Sequence, residues 1–220
     1  MAAKSAETGE ASGILAIWND CAPGRDGDFE HWFQSEHLEE RLAVPGFLFG
    51  RRHEAIAGAP RYFVFYVVRA PQTLASPAYL ARLDDPTPLT RTVMSEVFRN
   101  MSRTVCRRAK TAGRFRGAHC LTLRFEGAAP EAELAALVDE LAGDALAART
   151  ELWIAAHPAL PGMSEEERLR GGDRRIAACL AIDTLRQADA ETLAERLGAR
   201  FPQAQTGVYR ALCQIGNGDV

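Results

Sequence analysis

The sequence lacks most of the features that assign a protein at sight. No apolar run approaches the roughly 20 residues that a bilayer-spanning helix needs, and the opening MAAKSAETGEASG has no apolar stretch of a secretion signal. No membrane partner is therefore expected, and residues 1–12 read as a flexible tail. No C-x-x-C pair occurs among Cys21, Cys106, Cys120, Cys179 and Cys213. Their number is odd and four sit in apolar strand-like runs, which argues for small buried hydrophobes in a reducing cytoplasm. No H-x-x-x-H or clustered His/Cys/carboxylate spacing suggests a metal site, and neither G-x-S-x-G nor a P-loop is present. An excess of positive charge is missing too. Lys and Arg total 26 against 29 Asp and Glu, a net charge of −3, so no global field draws in nucleic acid. The basic run from Arg103 to Arg116 reads as a strand end and linker rather than a nucleic-acid patch.

What is present is ordinary globular material: 220 residues, 47% hydrophobic and 25% charged, enough for one large domain or two small ones. Gly13 to Trp18 is an apolar run too short for a helix and reads as a strand. The loop NDCAPGRDGD follows, then a helix capped by Asp28 and stopped near Val44 by Pro45-Gly46. Phe47 to Ala55 and Arg61 to Arg69 read as an antiparallel hairpin around IAGAP. A helical region through SPAYLARL breaks at DDPTP, resumes from Leu89 to Val97, and yields to a strand around Met101 to Arg108. Residues 109–116 read as a linker, and the order then repeats: strand His119 to Phe125, helix Pro130 to Leu141, strands Ala147 to Ala156 and Ile176 to Leu185, helix Asp189 to Leu197, strand Gly207 to Ile215. The predicted organisation is two β-α-β-β-α-β halves, 13–108 and 117–216. The second half departs in one long loop, PALPGMSEEERLRGG at 158–172, of a length suited to a lid or a charged flap.

A sheet with helices on one face must have its other face covered. Two such halves packing sheet on sheet predict an α+β fold of two ferredoxin-like halves forming a barrel, closed within a monomer or built in a homodimer. Alternation puts Thr122 with Arg124, Arg149 with Glu151, and Arg210 with Gln214 on single strand faces. Such polar faces either line a ligand cavity inside the barrel or meet solvent and pair across strands.

Chemistry concentrates in FEHWFQSEHLEERLAVPGF. At about 100° per residue Phe29, Trp32, Phe33 and Ala43 share one side of the helix, with Glu36 and Glu40 in its middle and His37 at its edge. Two carboxylates four residues apart on an apolar side repel, and each needs water, a proton or a cation; Arg41, Arg51 and Arg52 are nearest in sequence. A partly buried Glu beside a His makes an acid/base pair. A structural Glu/Arg cluster tying helix to strand accounts for the same residues. His31 falls on the solvent side, and His53, His119 and His157 stand alone.

DFEHWFQSEHLEERLAVPGFLFGRRHEA, with PRYFVFYVV and LASPAYLARL, resembles the EthD-like members of the dimeric α+β barrel superfamily. The carrying features are Trp32 and His37, Glu40-Arg41, Pro45-Gly46-Phe47 and Arg51-Arg52, which span most of the first half. The second half matches in inferred topology, so the resemblance implies a tandem, fused barrel. Glu39 stands where this family often has Pro, which lets the helix continue. The resemblance implies a small-molecule ligand and an enzyme of the cofactor-independent lyase, isomerase or monooxygenase kind, with His37 as general acid/base and Glu40 and Arg52 as orienting or anion-stabilising partners. Trp18, Asn19, Trp32, Phe47 and Tyr62 form the expected substrate wall for a flat, apolar carbonyl or phenolic compound. No metal or cofactor is expected, with haem on a lone His as the remaining option. The alternative is a non-catalytic ligand-binding or stress-related barrel.

Overall fold

Every residue of YFVFYVV is buried, which a strand achieves only when both its faces are covered. The structure, a computed structural model, describes residues 12–159 and 162–216, so all of the tail reading except Ser12 lies outside the described residues. The first half runs β1 (Gly13–Cys21), α1 (Asp26–Trp32), a π-helical turn (Phe33–His37), α2 (Leu38–Leu42), β2 (Phe47–Ala57) and β3 (Tyr62–Val68). It continues with α3 (Pro77–Asp84), α4 (Pro88–Thr92), a second π turn (Val93–Val97) and β4 (Phe98–Gly113). The second half runs β5 (His119–Phe125), α5 (Glu131–Leu141), β6 (Arg149–Ala155), α6 (Glu165–Leu169), β7 (Ala178–Thr184), α7 (Gln187–Arg200) and β8 (Gln205–Gly216).

The eight strands close into an antiparallel barrel in the order β1-β3-β2-β8-β5-β7-β6-β4. Each half contributes the ferredoxin-like order, β4-β1-β3-β2 and β8-β5-β7-β6, and the seams are β2 with β8 and β4 with β6. The barrel therefore closes within one chain. Residues 109–113, expected as linker, instead continue β4, where Lys110 to Gly113 pair with Leu152 to Arg149. Their polar character hid the strand because it lies at a seam, with alternate residues exposed.

Strand alternation separates three cores. Ile14, Ala16 and Trp18 meet Phe63, Phe65, Trp153 and Tyr209 in one cluster drawn from both halves, which only the barrel interior can bring together. Leu15, Val64, Tyr66 and Val68 face the first-half helices, and Leu121, Leu123, Leu180 and Ile182 face α5 and α7. Burying Phe29, Trp32 and Phe33 under the first layer contributes roughly 1.5–3 kcal/mol each.

Ion pairs cross the interior. Thr122, Arg124 and Glu151 point inward and are buried. Arg51 pairs with Asp183 at 2.8 Å, Arg116 with Asp183 at 3.1 Å and with Glu151 at 2.9 Å, and the Trp153 indole donates to Glu151 at 2.8 Å. Cross-strand pairing thus ties the inward polar faces of the strands together, while Arg210 and Gln214 are exposed. Cys106, Cys120 and Cys179 are buried as expected, Cys21 is half-buried, and Cys213 is exposed.

Candidate functional site

The helix over 26–42 is not a regular α-helix. Its N-cap is Arg25 rather than Asp28, which sits in the first turn paired with Arg25. The π turn at Phe33–His37 inserts an extra residue into the helical register. Positions after it therefore rotate relative to a 100° wheel: His37, expected at the edge, is buried, and Ala43, expected on the apolar side, is exposed. The helix runs on through Glu39 as the missing Pro suggested.

Glu36 answers the expected carboxylate repulsion with hydrogen bonds. It accepts from the hydroxyls of Thr87 at 2.6 Å and Thr90 at 2.8 Å, and the Thr90 oxygen in turn accepts from the Trp32 indole at 2.8 Å. This chain fixes Trp32, on which the His37 ring stacks at a centroid distance of 3.9 Å. Opposite, Tyr66 lies over Gly50, where an added Cβ would come within 2.9 Å of the phenol ring.

Between this helix and the outer face of the first-half sheet is a cavity of about 450 Å³ counted to its wall atoms and open mouth, of which about 40 Å³ admits the centre of a water molecule. Its walls are mainly apolar, with Phe29, Trp32, Phe33 and Phe98 among them. Its polar members are Asn19, His37, Arg41, Tyr66, Tyr79, Arg103, Glu166 and Arg170. Arg41 is hydrogen-bonded to Glu166, Arg103 donates to the Tyr79 hydroxyl at 2.7 Å, and Arg170 is held by Asp173 at 2.8 Å. Three atoms in this group are buried without a partner: His37 Nδ1, Arg41 Nη1 and Tyr66 Oη.

Electrostatics set the protonation states. Burial, with Arg41, Arg170 and Arg52 nearby, holds the His37 imidazole well below its ordinary pKa, so it is neutral at pH 7. Burial pushes the Tyr66 phenol up and keeps it a donor. Burial works against the charge on Arg41, but Glu166 and its other neighbours outweigh that and keep it cationic.

Of the residues expected as catalytic or substrate-binding, His37, Asn19 and Trp32 line this cavity, while Glu40, Arg52, Trp18, Phe47 and Tyr62 do not; Phe29, Phe33 and Arg41, singled out on the same helix, line it too. Trp18 points into the barrel and stacks on Phe63 at 4.8 Å, because adjacent strand residues face opposite sides and Asn19 takes the cavity side. Phe47 packs on Tyr66 and Tyr79 beside the cavity, and the Tyr62 hydroxyl donates to Asp26 at 2.8 Å. Arg52 is clamped by both oxygens of Glu30 at 2.7 and 2.6 Å, with its guanidinium 4.3 Å from the Phe29 ring centroid. Glu40 is half-buried, its carboxyl pushed up by burial, and its contact with Arg82 is 3.9 Å. Arg52 thus ties β2 to α1 through Glu30.

Sequence reasoning named Arg41 only as a cation near the carboxylates, with Arg52 preferred for the site, and missed Tyr66, Tyr79, Arg103, Glu166 and Arg170. Arg41 lies one turn after His37, a spacing that shares a helix face. Tyr66 follows from alternation with Tyr62. Glu166 and Arg170 come from α6 and its end, in the loop at 158–172, which crosses from the second half to the first-half site.

Among the described residues no three His, Cys, Asp or Glu converge as a metal site. His37 is the cavity histidine that could meet a haem iron; its ring is stacked on Trp32 at 3.9 Å and its Nδ1 is buried. No helix among the described residues is long and apolar enough to cross a membrane.

No protein-family model matches the sequence, and no curated protein matches it. Solved structures do match over nearly the whole chain. A protein described as anthrone oxidase-like aligns at TM-score 0.64 and 10% identity, covering 96% of this chain and 94% of that one. One assigned as a monooxygenase, from Fusobacterium nucleatum subsp. nucleatum, aligns at 0.58 and 8%, covering 96% and 97%. A mutant chlorite dismutase from Candidatus Nitrospira defluvii aligns at 0.50 and 10%, covering 94% and 92%. Identities this low bear on the fold alone.

Proposed function

We propose that this chain, which has the fold of the dimeric α+β barrel superfamily in keeping with its EthD-like resemblance, binds a small apolar molecule bearing a carbonyl or phenolic oxygen beside His37 and acts on it by proton transfer. The observation that supports this is that three residues lining one aromatic-walled cavity, His37, Arg41 and Tyr66, each carry a buried polar atom without a partner, Nδ1, Nη1 and Oη. Buried polar groups are nearly always hydrogen-bonded, and an oxygen-bearing occupant would supply partners for all three.

The roles follow from the charge states. Neutral His37 accepts a proton from a phenol or from a carbon next to a carbonyl, and the negative charge left on the ligand oxygen offsets the burial and the arginines that otherwise oppose the imidazolium. Arg41 faces the negative charge that develops on oxygen, and the Tyr66 hydroxyl donates to the same oxygen. Arg41 takes the part expected of Arg52, whose guanidinium is committed to Glu30. Thr90 and Glu36 hold Trp32, and through it the ring of His37, without touching the ligand. Proton removal of this kind opens cofactor-free isomerase, lyase and oxygenase chemistry on such compounds, and needs no metal.

The test is hydrogen–deuterium exchange at the activated methylene of 2-tetralone or phenylacetone, followed by proton NMR in D2O. The chain should accelerate exchange, and His37→Gln should remove the acceleration at pH 7 while shifting the melting temperature little. A large loss of stability with exchange and ligand binding intact would sink the catalytic role.

A further inference from the structure

We propose that the molecule this cavity takes carries a carboxylate, fixed by Arg41 and Arg170, and that Glu166 occupies the place of that carboxylate in the ligand-free chain. The inference rests on the small-molecule reading above and narrows its ligand to a compact aromatic or alicyclic carboxylic acid.

Charge in the cavity is one-sided. Arg41, Arg103 and Arg170 line it, and Glu166 is the one carboxylate among the lining residues. Asp173 holds Arg170 through Nε at 3.0 Å and Nη2 at 2.8 Å and also acts on Arg103, which leaves three cations against two carboxylates. Arg103 is met by a neutral phenol, Tyr79. Glu166 stands between the other two, bonded to Arg41 through Oε1 and 3.6 Å from Arg170 through Oε2. Even so, one nitrogen of Arg41 is left over, along with the Tyr66 hydroxyl. The fork between Arg41 and Arg170 is a carboxylate receptor filled by a side chain of its own chain, and the spare Arg41 nitrogen and the Tyr66 hydroxyl stay open to the carbonyl or phenolic oxygen of the same ligand.

The position of Glu166 in the fold makes exchange feasible. It sits on α6, a five-residue helix in the β6–β7 connection. The corresponding connection between β2 and β3 is a short turn at 58–61, so no equivalent segment lies over the second half. Beyond the buried pairs and Leu169, which packs at the edge of the first-half core, α6 is tied down by contacts near solvent: Glu165 with Arg91 at 3.2 Å, the Glu165 amide with Asp84 at 3.1 Å and Glu167 with Arg175 at 3.1 Å. Segments held this way open locally at a fraction of the global unfolding free energy. A buried Arg–Glu pair returns little net stability, because desolvation offsets its attraction. Replacing Glu166 by a ligand carboxylate keeps that balance and adds burial of the ligand's apolar body against Trp32 and Phe33.

The experiment is calorimetric titration of the full chain with phenylacetate and with its neutral isostere phenylacetamide at pH 7.5. The acid should bind on the order of tenfold tighter than the amide. Glu166→Gln, which removes the competing charge, should tighten phenylacetate by a further factor on the order of ten and change phenylacetamide by less than about threefold. Glu166→Asp, which keeps the charge on a shorter arm, should give a smaller gain in the same direction and covers the case in which the Gln variant does not fold. Amide hydrogen exchange at 164–170 should rise when phenylacetate binds. Equal affinity for acid and amide in the wild type, or weaker acid binding in both variants, overturns the proposal. If neither probe binds while His37-dependent exchange of 2-tetralone persists, the carboxylate assignment fails and the proton-transfer reading stands; loss of both overturns both.

Discussion

Replacing His37 by Gln removes a ring that burial and the nearby arginines hold neutral well below its ordinary pKa of about 6.5. Because the folded pKa is depressed, its contribution to stability is complete above about pH 6.5 and is lost as pH falls, where the unfolded chain takes up a proton that the folded chain refuses. The slope is about 1.4 kcal/mol per pH unit for one such proton. His53, buried in the barrel interior and depressed by burial and then Arg51, adds a second. Wild type should thus lose stability at about 2.7 kcal/mol per pH unit below pH 6.5 from these two groups, and His37→Gln at about half that. Glu40 and Asp183, whose carboxyls burial pushes up, act in the opposite direction in both proteins and cancel in the difference. Urea unfolding at steps from pH 8 to pH 5, with wild type and variant paired, measures the difference directly. The curves should coincide in slope above pH 7 and diverge below 6.5. Parallel curves down to pH 5 would mean that His37 titrates as a solvated histidine, and the neutral-base reasoning would be wrong.

Three other perturbations separate site from scaffold. Burial alone would raise the Glu151 carboxyl, but Arg116, Arg108 and Arg149 hold it down at about 2; Glu151→Gln should cost on the order of 3 kcal/mol at pH 7, a difference that shrinks as pH falls through that value, by urea unfolding. Thr90→Val leaves the buried Trp32 indole and one oxygen of Glu36 short of a partner; a loss of about 1–3 kcal/mol and slower exchange of 2-tetralone are expected, from melts and NMR. Arg52→Met should weaken the fold while sparing the exchange reaction, and Arg41→Met should abolish the reaction; the opposite pattern would return Arg52 to the site.

Much of the barrel was legible in the chain. RYFVFYVV and HCLTLRF read as strands from their length and their β-branched and aromatic content, and the repeated element order implies two sheets facing one another. The seams were harder: AKTAG at 109–113 carries no hydrophobic period, because β4 there pairs with β6 at a position exposed on alternate residues. Within the site, His37 and Trp32 stood out by type, but a regular wheel misplaced Ala43, since nothing in residue spacing announces a π turn. Trp18 and Asn19 were grouped by proximity although a strand sends them to opposite faces. Glu166 and Arg170 lie more than 120 residues from His37, and the length of their loop signalled a special segment without telling where it lands.

The central claim is that a small molecule enters the cavity between the first-half helices and the sheet. Its most direct test is methyl NMR of the chain labelled at methionine, because Met94 and Met101 line that cavity while Met163 is exposed outside it. Titration with phenylacetate or 2-tetralone should move the Met94 and Met101 methyl signals saturably and leave Met163 in place. Unmoved Met94 and Met101 signals, with saturable shifts confined to other sites, would contradict it.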